Sequence, residues 1–232
     1  MPRVARCIFP NIPHHITQRG NRRENVFFTD EDRILYLKLL KEYSVKYEVE
    51  IIAYCLMTNH VHLLVVPYAE DSLEKLLRPL HTRYAQTINK KKGWTGHLWQ
   101  GRYFSSPMDE NYFWECIRYI ENNPVRANIV GKAEEYKWSS ARYHCGIGSS
   151  KIVSKKIKWV NKLDPIENWS KWLTEKEDAV KFEIIRRNIE RGLPCGSEKF
   201  INNLEKIKEK VLSFRPIGRP RKSNDKKGVR PL

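Results

Sequence analysis

Apolar and polar positions alternate or recur in a readable order along the first 125 residues. Residues 13–19 predict a first strand, followed by the polar turn Arg19-Gly20-Asn21-Arg22-Arg23. Thr29 with Asp32 three positions on reads as a helix start, and Asp30 and Glu31 suit the positive end of a helix. Tyr36, Leu39, Leu40, Tyr43 and Tyr47 then recur at helical spacing. Two β-rich runs follow, 49–57 and 60–66, joined at Thr58-Asn59 as a hairpin would be. Ser72 opens a second helix with Leu73, Leu76, Leu77, Leu80, Tyr84 and Ile88 on one face, and Pro79 is expected to kink or split it. Residues 97–107 predict a further strand. Asp109 caps a third helix, which Pro124 stops. Strands joined by both hairpins and crossovers predict an α+β sandwich: a mainly antiparallel sheet with helices packed on it, in a ferredoxin-like order.

The pattern changes near Gly148, where this first domain (1–148) is expected to end. Residues 149–172 are basic and irregular, as in a linker. Over 173–213 two short helices are predicted. Thr174 with Glu177 forms a capping box for the first, which Gly192 ends, and Ser197 starts the second. The tail 214–232 holds seven basic residues and one acidic residue, too polar to bury a core.

Composition sharpens the picture. The 232 residues carry a formal charge of +16, which favours a polyanionic partner, and 11% aromatic content with seven tryptophans leans towards nucleic acid. No stretch approaches the ~20 apolar residues of a membrane span, and the N-terminus lacks a signal peptide's apolar core. Five scattered cysteines without a Cys-x-x-Cys pair read as reduced thiols. A cytoplasmic, nucleoid-associated protein is therefore expected.

The chemistry centres on Asn59-His60-Val61-His62. Side chains alternate across a strand, so His60 and His62 share a face and can present two imidazoles to one divalent ion; two ordinary strand histidines are the competing reading. On the third helix Phe113, Cys116, Ile117 and Ile120 form the apolar stripe. Tyr119 lies off it, with Asn123 four residues on and on the same side. A divalent ion can polarise a phosphate, and a phenol brought beside it can attack phosphorus to give a covalent phosphotyrosine. His14 and His15 point to opposite faces and are assigned no chemistry.

Four segments occur together: Ile16-Thr17-Gln18-Arg19-Gly20-Asn21, Met57-Thr58-Asn59-His60-Val61-His62-Leu63, Leu98-Trp99-Gln100-Gly101-Arg102-Tyr103, and Tyr119-Ile120-Glu121-Asn122-Asn123-Pro124-Val125-Arg126-Ala127. Over residues ~10–145 they resemble, in order, the single-tyrosine HUH transposases, and most of all the branch of REP-associated tyrosine transposases. The resemblance implies a ferredoxin-like HUH endonuclease fold. It implies His60 and His62 as metal ligands, Tyr119 as nucleophile, Asn123 as the third metal-side residue where relatives outside the branch usually have glutamine, and Mg²⁺ or Mn²⁺ as the ion. Such enzymes cut single-stranded DNA near hairpins, leaving a 5′-phosphotyrosine and a free 3′-hydroxyl. A non-catalytic hairpin-DNA-binding relative on the same fold, a replication initiator or relaxase, and a small-molecule hydrolase are the alternatives. Monomer and homodimer both stay open.

Candidate DNA contacts are Arg19, Asn21, Arg22 and Arg23 after the first strand, Trp99, Gln100 and Arg102 in the third segment, and Trp138 in a later loop. Arg219 and Arg221 of Gly218-Arg219-Pro220-Arg221 resemble a minor-groove arm, and a solvated linker is the equal reading.

Overall fold

The computed structural model describes residues 7–154 and 166–213. Arg219 and Arg221 lie outside them. Four strands, β1 (His14–Arg19), β2 (Val49–Met57), β3 (His60–Pro67) and β4 (Phe104–Pro107), form one sheet in the order β2-β3-β1-β4. Every pairing is antiparallel. With α1 (Asp30–Lys46) after β1, α2 (Ser72–Lys92) after β3 and α3 (Glu110–Glu121) after β4, this is the expected ferredoxin-like sandwich. Five further helices follow: α4 (Asn123–Arg126), α5 (Ala141–His144), α6 (Trp169–Thr174), α7 (Ala179–Arg191) and α8 (Glu198–Lys208).

The register decides which residues meet. In β1 and β3, Thr17 stands opposite His62 and Arg19 opposite His60, while Cys55 and Met57 of β2 flank the same histidines. One face of the sheet therefore carries His15, Thr17, Arg19, His60 and His62. The other carries Ile16, Leu56, Val61 and Leu63, all fully buried. That apolar face packs under the crossover helices α1 and α2, which also pack on each other. The histidine face is covered by α3, whose buried Phe113, Ile117 and Ile120 contribute about 2 kcal/mol each in apolar burial. Asp109 caps α3 by accepting from Asn111 N–H and Tyr112 N–H, and Asp32 holds the start of α1 by accepting from Thr29 N–H at 3.0 Å.

Several expectations need correction. Pro79 does not split α2, because Leu73, Leu76, Leu77 and Leu80 anchor both halves in the core. The strand expected over 97–107 is confined to Phe104–Pro107. Before it the chain meets the sheet through a bridge from Gly20 to Trp99 and a bond from Gln18 Nε2 to Gly101 O, and Gly96 and Gly101 at positive φ break the extended path. The third helix ends at Glu121, and a separate turn, α4, starts at Asn123 with Pro124 inside its first turn. Thr174 and Glu177 do not cap a helix. Asp178 does so, accepting from Val180 N–H and Lys181 N–H, while Glu177 accepts from Arg126 and Asn122.

Nor do residues after 148 stand apart. Ser154 N–H donates to Ile51 O, Trp169 and Trp172 stand edge-on to Trp114 of α3, and Cys195 bridges Met108 beside β4. Helix α7 packs on both α3 and β4. Among the described residues, 166–213 thus make contacts with α3 and β4.

Candidate active site

Three side chains singled out in the sequence meet on the covered histidine face. The His60 and His62 rings lie 4.9 Å apart between centroids, nearly perpendicular. The Tyr119 ring of α3 stands edge-on to His62 at 5.7 Å. The Tyr119 hydroxyl makes no hydrogen bond with the described residues.

A fourth ring was not legible as part of this set. His15 stacks on His62 at 5.1 Å, with its Nε2 2.8 Å from His62 Nδ1, and stands edge-on to Tyr119 at 5.7 Å. His14 and His15 do face opposite ways, as alternation requires. The error was to give His15 no partner, since only the β1–β3 register shows that its face is that of His62. His14 sits on the other face, held by Ile12 O and the Phe9 N–H.

Each histidine of the pair is held by its Nδ1. Asn59 Nδ2 donates to Arg23 O, so its Oδ1 faces His60, and His60 Nδ1–H donates to it at 2.6 Å. The exposed Arg22–Arg23 turn, with both residues at positive φ, is thereby tied to His60. Neither Asn59 nor Arg126 was assigned a role from sequence. The Arg126 guanidinium lies 4.5 Å over the Tyr119 ring, donates to Tyr119 O and bonds Glu177 at 3.1 Å. Phe182 of α7 closes the far side of Tyr119 at 5.5 Å.

Electrostatics favour neutral rings. Burial, with Arg19 nearby, pushes the His60 imidazole down to about 4. Burial does the same to His15, to about 3, and takes His62 well below its ordinary value, helped by His60, His15 and Arg126. Imidazoles already bare of a second proton are ready to take a cation. Burial raises the Tyr119 phenol above its ordinary value, and Arg126 works against that shift.

The donor set fits a divalent ion, and its imidazoles accept Zn²⁺ or Ni²⁺ as readily as Mg²⁺ or Mn²⁺. Two neutral imidazoles on one face supply nitrogen. The Asn123 amide nitrogen is spent on Tyr119 O and Ile120 O, which leaves its carbonyl oxygen as the donor it can offer. Among the described residues no group of three His, Cys, Asp or Glu gathers to hold a metal, so an ion here needs oxygen from elsewhere, as Mg²⁺ and Mn²⁺ accept from water and phosphate.

The expected DNA contacts divide. Arg22, Arg23, Gln100 and Arg102 are exposed, Arg19 and Asn21 half-buried. Trp99 and Trp138 are core residues instead, each 8% exposed. Trp99 donates to His81 O within the ring cluster of Tyr36, His81 and Tyr84, and Trp138 backs β2 through Leu56 N–H. A cavity of about 480 Å³ opens at the β4 edge, lined by Arg19, Arg102, Phe104, Arg191 and Lys210 among others. Gln18 Oε1 and Ser105 Oγ, at its wall, are buried without a hydrogen-bond partner among the described residues. No helix among the described residues is long and apolar enough to cross a membrane.

Comparison with known proteins bears on the fold and the family. The solved structure of a REP-associated tyrosine transposase bound to a REP hairpin superposes with a TM-score of 0.54 at 15% identity, covering 68% of this chain and 99% of that one, which shows the fold. A transposase from Deinococcus radiodurans is 20% identical with a TM-score of 0.36, over 53% of this chain and 94% of that one. No curated protein matches the sequence. The model of the family described as "Transposase IS200 like" matches residues 9–123. Those residues, which carry the sheet, both histidines of the pair and Tyr119, belong to the IS200-like transposase family.

Proposed function

We propose that this protein is a divalent-metal-dependent endonuclease and strand transferase for single-stranded DNA next to hairpins, with Tyr119 as nucleophile. The observation that carries the reading is the edge-on contact of Tyr119 with His62, made within one chain. No second copy is needed to bring the phenol to the histidine pair, which supports a monomeric site. The solved relative's REP hairpin is the model for the partner.

The chain's own residues then have definite tasks. His60, His62 and the Asn123 carbonyl oxygen would hold Mg²⁺ or Mn²⁺, which when bound polarises the scissile phosphate. Arg126 and Phe182 keep the Tyr119 ring over the histidines. Tyr119 Oη forms a bond to phosphorus as the bond from phosphorus to the 3′ oxygen breaks. The phenol gives up its proton and the leaving 3′ oxygen takes one up, which yields a 5′-phosphotyrosine and a free 3′-hydroxyl. Since bond energy is kept in the phosphotyrosine, a 3′-hydroxyl can later reverse the step and join a strand. Arg19, opposite His60, and the basic cavity beside β4 offer the flanking strand a path.

The test is incubation with 5′- and 3′-labelled hairpin DNA carrying single-stranded flanks, in Mn²⁺. A protein-linked fragment joined through its 5′ end is expected from the wild type and none from Tyr119→Phe. An adduct that persists in Tyr119→Phe overturns the assignment. Tight hairpin binding by the wild type with no cleavage under any divalent ion favours the non-catalytic reading.

A further inference from the structure

We propose that His15 is a positioning residue for His62: it accepts a hydrogen bond from His62 Nδ1–H and so leaves His62 Nε2 bare and aimed at the cation. The proposal rests on the metal reading of His60 and His62 given above.

The geometry is specific. His15 is fully buried, its ring is stacked 28° from that of His62, and its Nε2 lies 2.8 Å from His62 Nδ1. The two nitrogens of an imidazole point to opposite sides of the ring, so an ion on His62 Nε2 lies away from His15. His60 shows the same plan with different chemistry. There Asn59 Oδ1 can only accept, so Nδ1 carries the proton and Nε2 is bare. Both histidines of the pair are thus gripped from behind by an acceptor, one an amide oxygen and one an imidazole nitrogen. Partners of this kind fix the tautomer and orientation of a metal-binding imidazole.

The opposite direction, with His15 donating, would put the His62 proton on Nε2 and block the ligating atom. The proposed direction places the His15 proton on its Nδ1. That atom is buried and has no hydrogen-bond partner among the described residues. Either direction leaves that nitrogen unsatisfied, so it is the need for a bare His62 Nε2, and not His15 Nδ1, that selects the direction. His15 also stands edge-on to Tyr119, so the ring that orients the ligand lines the seat of the nucleophile.

The experiment uses the full chain with ¹⁵N-labelled histidine. In the metal-free wild type, His62 is expected as the Nδ1–H tautomer. His15→Gln, whose amide oxygen can still accept, should keep that tautomer and most of the Mn²⁺ affinity. His15→Leu should release it and weaken Mn²⁺ binding by about 10–100-fold, the usual cost of losing such a partner. Thermal unfolding checks that His15→Leu is folded; should it not be, the tautomers of the wild type and His15→Gln decide. The proposal is overturned if metal-free wild type carries the His62 proton on Nε2, if a bound ion perturbs a His15 nitrogen as a direct ligand, or if folded His15→Leu binds Mn²⁺ like the wild type. A wild type that binds no Mn²⁺ at all counts against the metal reading of His60 and His62, while its metal-free tautomer still reports on His15.

Discussion

Gly20 shows how little room the residues around the site leave. A Cβ there would lie 2.2 Å from Glu24 O and 2.8 Å from Val26 Cγ1, and the first of these is backbone that cannot swing aside. Gly20→Ala is expected to lower stability by about 2–3 kcal/mol, read as a lower urea midpoint. His14 supplies a pH prediction. Burial holds its folded-state value down at about 4, against 6.5 for the ordinary imidazole. Between those values the unfolded chain takes up a proton that the native state refuses. The contribution is intact above pH 6.5 and lost as pH falls towards 4, about 2 kcal/mol by pH 4.5. Denaturation series at pH 7.5 and 4.5 should therefore show a smaller loss for His14→Gln than for the wild type. At this scale the sequence disclosed His60, His62 and Tyr119, because a two-residue alternation and a motif mark them. His15 and Asn59 stayed hidden, since one depends on the register between β1 and β3 and the other on a turn conformation.

Helix α3 was readable as an element because its signals are local: the Asp109 cap and the stripe Phe113, Cys116, Ile117, Ile120. Its far end was not, because long-range bonds set it. Glu121, fully buried, accepts from Ser140 Oγ, His144 Nδ1–H and Trp169 Nε1–H, gathering α5 and α6 onto the end of the tyrosine helix. Glu121→Ala strands these donors and is expected to cost about 3 kcal/mol, measured by chemical denaturation, with a further loss of any Tyr119 adduct. The false cap at Thr174 has the same origin. Arg126 and Asn122 draw Glu177 out of a capping role. Likewise residues 97–103 are rich enough in strand formers to mislead, and the core between α1 and α2 takes Trp99 instead.

For the whole molecule, the +16 charge predicts binding that weakens steeply with salt. Arg22 and Arg23, exposed on the turn behind His60, are expected to account for part of it. The double variant Arg22→Ala/Arg23→Ala should reduce the slope of log affinity against log salt by about 1.4 on single-stranded DNA, followed by fluorescence anisotropy. The α+β class and the ferredoxin-like order were legible, because most strands and helices up to Pro124 announce themselves locally, even where their ends do not. The packing of 166–213 on the sheet was not, because polar, charged surface on short helices reads as an appendage until its contacts are known.

Phe182 and Glu177 give that packing a temporal meaning. The histidine pair and Tyr119 lie before residue 124, yet the ring of Tyr119 is closed in by Phe182, and Arg126 is pinned by Glu177. During synthesis the histidines and the tyrosine leave the ribosome well before their clamp does. The segment that closes in the tyrosine is thus made last, and its docking onto α3 and α4 completes the surroundings of that ring.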